Sequence, residues 1–146
     1  EINPSQPVSI GTWNNNKELN DIIFANSDVI TFHSYYPGPN VEKLIQELKK
    51  HNRPLICTEW LNRPRGSTVE GVLPLFAAER VGCLHWGLVN GKTQTDLPWG
   101  HRPGDGPYNR IWQHDLYTTD FQMYSPYEIQ LFKSFIEKSN LAISSG

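Results

Sequence analysis

The sequence predicts an α/β domain built on a parallel sheet, and three observations carry that expectation. Short apolar runs rich in β-branched and aromatic residues recur at DVITFHSYY (28–36), PLICTEW (54–60) and VGCLHWGLV (81–89), a pattern of buried strands. Amphipathic segments of helical period separate them. The alternation continues through the 146 residues with no linker or low-complexity tract, so one domain is expected.

Each element has a local reason. PVSIGTW (7–13) reads as a first strand, stopped by three asparagines. KELNDIIFAN (17–26) reads as a helix with Leu19, Ile22 and Ile23 on one face. The strand at 28–36 ends at Pro-Gly-Pro. In the next helix, 41–51, Val41, Leu44, Ile45 and Leu48 fall at i, i+3, i+4 and i+7, with Asn40 as the expected N-cap. The segment 67–79 opens with Ser67 and Glu70 at capping-box spacing and carries an internal proline, Pro74, that predicts a kink. A long loop rich in Gly, Pro, Trp and Thr follows the strand at 81–89. The stretch 111–124 reads as a short hairpin. A last helix starts at Ser125-Pro126, with Glu128 as its capping acid and Ile129, Phe132, Phe135 and Ile136 as its apolar face. Residues 1–6 and 140–146 are expected to be poorly ordered ends.

Four βα units of this kind fit either a doubly wound sheet or half of an eight-stranded βα barrel, which needs about 250 residues in full. The strand ends favour the barrel. No dinucleotide turn or P-loop follows any strand. Polar and aromatic side chains stand there instead: Trp13, then His33 and Tyr35, then Glu59 with Trp60, then Trp86. C-terminal strand ends are where barrel enzymes hold their chemistry. Strand parity groups His33 with Tyr35, Cys57 with Glu59, and Gly82 with Leu84 and Trp86, while Cys83 and His85 point the other way. On that parity Glu59, Tyr35, His33 and Trp86 converge over one mouth. Cys57 faces the barrel axis and Cys83 the helices, so the pair is expected to remain unbridged.

Composition excludes little else. Net charge is −2, which gives no reason to expect nucleic acid or an anionic membrane as partner. No apolar run approaches the roughly 18 residues needed to span a bilayer. His101, His114 and Asp115 have no standard metal-site spacing, and no cofactor is expected. Five Trp and six Tyr form an aromatic excess that suits sugar binding and a plain core equally.

DVITFHSYY, PLICTEW and HWGLVNGKTQT (85–95), in that order, resemble the sixth, seventh and eighth strands of retaining (β/α)8 glycoside hydrolases. This is the clan that includes family 5 cellulases, mannanases and xylanases, and WGLVNGKTQT is similar to a bacterial xylanase- or cellulase-like subgroup. NPSQPVSIGTW (3–13) resembles the fifth strand. The resemblance covers nearly the whole chain. It implies the C-terminal half of a TIM-barrel catalytic domain over residues 1–146, a β-linked xylan- or glucan-like substrate, and secretion or periplasmic export. It makes Glu59 the nucleophile, with Tyr35 or His33 as its partner and Tyr36 as a rival for Tyr35. Trp86 becomes the floor under the sugar, and Trp13, Trp60, Lys92 and Gln94 further substrate contacts. The family's acid/base glutamate ends the fourth strand, and the match begins at the fifth. The fragment alone is therefore expected to be inactive, and to need an N-terminal half barrel or self-association to cover its axis face, where Ile30 and Phe32 or their parity partners, with Leu55 and Leu84, are expected to meet water. Three alternatives stay open: a salt bridge of Glu59 with Arg63 or Arg65, a non-catalytic carbohydrate-binding or scaffold half barrel, and an unrelated α/β hydrolase or flavodoxin-like protein.

Overall fold

The computed structural model describes residues 4–12, 16–102, 104–107 and 111–144. Among them, three short strands form one parallel sheet in sequential order: β1 (Ile30–His33), β2 (Leu55–Glu59) and β3 (Gly82–Cys83). Four α-helices accompany it: α1 (Lys17–Ala25), α2 (Gly38–Lys49), α3 (Val69–Ala78) and α4 (Pro126–Ser144). A 3-10 turn, Arg63–Arg65, bridges β2 to α3. No described helix is long and apolar enough to cross a membrane.

The expected first strand contributes one bridge, Gly11 to Thr31, and a bond from Thr12 N–H to the Thr31 carbonyl. Pro7 has no N–H to give a ladder. The amides of Val8 and Ile10 are taken by the Asp28 carboxylate and the Ser27 hydroxyl instead. β3 is only two residues long. Pairing nonetheless continues past it, Leu84 N–H donating to the Cys57 carbonyl and Trp86 N–H to that of Trp60.

Burial alternates along β1 and β2, so one face is packed and the other open. Ile30, Phe32, Leu55 and Cys57 join Val41, Ile45, Leu48, Val72 and Phe76 of the helices in one core. This corrects the parity argument. The residues expected on the axis face, Ile30, Phe32 and Leu55, lie against the helices, and only Leu84 of that set is exposed. Cys57 and Cys83 are register partners with side chains on the same, core-facing side, and both are free thiols. Burial raises both, Cys57 to about 12 and Cys83 to about 11.

The caps differ from expectation for physical reasons. α2 begins at Gly38, one residue after Pro37, because Pro39 suits the first turn and needs no N–H partner. Gly38 also lets α2 approach α3, since a Cβ there would lie 2.6 Å from the Gly71 carbonyl. α3 is capped by Thr68, whose hydroxyl accepts from Gly71 N–H, because Ser67 is buried and receives Leu61 N–H. Pro74 sits inside α3. In α1 only Ile23 is buried, while Leu19 and Ile22 face solvent. In α4, Ile129 is buried, Phe132 and Phe135 pack on the core edge, and Ile136 is exposed. The expected hairpin reduces to a turn closed by the Tyr117–Met123 bridge and the bond from Thr118 N–H to the Gln122 carbonyl.

Candidate active site

The end of β2 does not follow simple alternation. Phe32 pairs with Cys57, but the next residue, His33, pairs with Glu59, so Thr58 is an extra residue in β2. That β-bulge re-aims the strand. Without it Glu59 would share the core-facing side of Cys57. With it, Glu59 stands beside His33 on the open face. Carboxylate and imidazole are only partly exposed, at 25% and 31% of their side-chain surface, enough for a ligand to reach while the groups stay held.

Two side chains hold the carboxylate. Tyr35 Oη donates to Glu59 Oε2 at 2.7 Å, and His33 Nδ1 lies 3.2 Å from the same oxygen. Burial, with the bond and the charge of Glu59 added to it, drives the Tyr35 phenol well above its usual range, so it remains a donor. The three residues border an open cavity of about 510 Å³, together with Tyr36, Arg65 and two half-exposed indoles, Trp86 and Trp99. Thr12 completes its edge. Glu59 is the one carboxylate among the described residues of that lining.

The remaining expected site residues lie elsewhere. Trp60 is fully buried, packed on Phe76 at 5.5 Å and Phe132 at 5.9 Å, and no ligand can stack on it. Lys92 and Gln94 are exposed on the turn after β3 and do not border the cavity. Trp13 lies outside the described residues. Neither Arg63 nor Arg65 pairs with Glu59. Arg63 is clamped to Glu128, its Nη2 2.6 Å and its Nε 2.9 Å from the two carboxylate oxygens. The Arg65 guanidinium lies 4.8 Å over the Trp99 ring. His114 and Asp115 are buried structural groups, and no cluster of three metal-ligating side chains occurs among the described residues.

Trp99 and Thr12 are the lining residues that sequence reasoning missed; Tyr36, expected only as a rival for Tyr35, lines the cavity beside it, and Arg65, expected only as a salt-bridge partner of Glu59, lines it without pairing with that carboxylate. Arg65 sits in a single 3-10 turn and Trp99 in a loop, where no period reveals which way a side chain points.

The turn after Glu59 is strained. Leu61, fully buried, adopts φ 77°, a left-handed conformation that costs a branched residue roughly 1–2 kcal/mol. Its carbonyl receives His114 Nδ1, and Arg63 N–H donates to the Gln113 carbonyl at 3.2 Å. Residues 113–116 are thus buried beneath the strand end.

Comparison with protein-family models, curated proteins and solved structures returned no match. The chemistry of the site therefore rests on its own geometry. A carboxylate fixed at a strand end, one oxygen bonded by a phenol and close to an imidazole, and aromatic faces around it form an open pocket in which an anionic oxygen is presented between rings.

Proposed function

We propose that Glu59 is the nucleophile of a retaining glycoside hydrolase acting on β-linked, xylan- or glucan-like polysaccharide, and that this chain supplies strands five to eight of its (β/α)8 barrel. The observation that carries the reading is the double grip on Glu59 Oε2 by Tyr35 and His33 at the end of a parallel strand. These contacts keep the carboxylate oriented, as attack on an anomeric carbon requires. Trp86 and Trp99, half exposed on the same cavity, offer the apolar faces on which pyranose rings stack.

A retaining mechanism needs a second carboxyl group about 5–5.5 Å from the first. The described lining holds Glu59 alone, so in this reading the acid/base glutamate comes from the N-terminal half of the barrel. The open sheet face would then close onto that half and become the barrel axis.

The test is Glu59→Gln in the enzyme expressed from its full reading frame. Gln keeps the shape and still accepts from Tyr35 but cannot attack. Turnover should fall by at least about 10³-fold with KM little changed, and azide or formate should partly restore it as external nucleophile. Turnover within about tenfold of wild type, on folded enzyme, overturns the assignment.

A further inference from the structure

A buried hydrogen-bond relay ties the cavity wall to the turn beneath Glu59. Its direction is fixed by elimination. The Leu61 carbonyl can only accept, so His114 Nδ1 carries the proton and donates to it. The backbone N–H of Trp99 donates to Gln113 Oε1 at 3.1 Å, which orients the amide and leaves Gln113 Nε2 to donate. Its acceptor is His114 Nε2, 2.7 Å away. Trp99 N–H, the Gln113 amide, the His114 ring and the Leu61 carbonyl thus satisfy one another in one arrangement, with the imidazole neutral. Burial favours that neutral form. The ring itself is 1% exposed and packs beside Tyr35 at 5.5 Å and Trp99 at 5.7 Å. It therefore touches the residue that grips Glu59, the aromatic wall of the cavity, and the strained turn two residues past the carboxylate.

We propose that His114 is a positioning residue for Glu59: through Gln113 it locks the Trp99 wall to the left-handed turn at Leu61, so that sugar platform and carboxylate keep one fixed separation. The proposal rests on the reading of Glu59 as nucleophile. Tolerance for error at such a site is small, since misplacement by about 1 Å can cost about 10²-fold in rate.

Three variants of the full-length enzyme test it. His114→Phe keeps a ring against Tyr35 and Trp99 but removes both hydrogen bonds; kcat should fall about 100-fold, with KM changed less than about threefold. His114→Asn restores an N–H donor toward Leu61 and should recover about tenfold of that loss. Gln113→Leu leaves His114 in place and cuts the relay from the Trp99 side; kcat should fall at least tenfold, and this variant carries the test if His114→Phe does not fold. Nitrogen chemical shifts of His114 report the tautomer independently of activity and should show Nδ1 protonated and Nε2 bare. Wild-type kcat in His114→Phe or in Gln113→Leu, or an Nε2-protonated ring, overturns the proposal. An active Glu59→Gln enzyme overturns the nucleophile instead, whatever the tautomer.

Discussion

The buried pair Arg63–Glu128 allows a stability prediction with a worked magnitude. Both side chains are nearly inaccessible, at 5% and 8% exposure. The guanidinium makes two bonds to the carboxylate, a third from Nη1 to the Trp112 carbonyl at 3.1 Å, and lies 4.4 Å over the Tyr124 ring. It thus joins the β2–α3 turn to the start of α4 across 65 residues of chain. Removing one charge leaves the other buried and unpaired, which costs about 3–5 kcal/mol. Glu128→Leu should therefore lower the melting temperature by about 10 °C, using about 2–4 °C per kcal/mol for a domain of this size. The double variant Arg63→Met/Glu128→Leu leaves no orphan charge and should recover most of that loss, because a buried pair adds little over apolar side chains of similar volume. Thermal melts and chemical denaturation followed by circular dichroism measure both differences. If Glu128→Leu stays within about 1 kcal/mol of wild type, or the double variant is no better than the single, the pair does not hold α4 in place and the reasoning fails.

Two further outcomes are expected. Gly38→Ala should cost about 1–3 kcal/mol, because its Cβ would press on the Gly71 carbonyl at 2.6 Å, whereas Gly91→Ala, which meets only Thr119 Cγ2 at 3.6 Å, should be near neutral in the same melts. Acid should weaken the fold from about pH 6.5 downward: burial lowers His85 and His114, so in that window the unfolded chain binds protons that the folded one does not, by up to about 1.4 kcal/mol per pH unit for each group. Asp115, which burial raises, acts with the opposite sign at the acid end. His85→Phe, packed beside Trp60 and Phe132, should flatten the slope measured between pH 7 and 5, and an unchanged slope would count against burial as its cause.

α2 was the most legible helix because its core follows the 3.6-residue period, burying Val41, Ile45 and Leu48, whereas α1 buries only Ile23 of its expected face. Helix starts were less legible, since Ser67 and Thr68 are equally good caps until tertiary packing engages Ser67. Parallel sequential pairing followed from the alternation of elements, but the choice of face did not. The buried set Ile30, Phe32 and Leu55 is apolar enough for either side of a sheet, and the partner surface decides. Glu59, His33, Tyr35 and Trp86 do meet at one cavity, although simple alternation would turn Glu59 to the core side with Cys57: the bulge at Thr58, which has no sequence signature here, brings it round. Trp60 stands next to Glu59 and carries the same ring as Trp86, yet its burial depends on Phe76 and Phe132, 16 and 72 positions away. The Arg63–Glu128 clamp and the His114 relay are likewise long-range, and no local spacing encodes them.

The central claim, that Glu59 attacks the anomeric carbon, is tested most directly by trapping. A 2-deoxy-2-fluoro-β-xylobioside or -cellobioside with a dinitrophenyl leaving group forms a glycosyl-enzyme that hydrolyses slowly, and it needs no acid assistance for the first step. Full-length enzyme should inactivate with one glycosyl unit added, and peptide mass spectrometry should place that unit on Glu59. A glycosyl unit on any other carboxylate, or continued full activity with no adduct, would contradict the account.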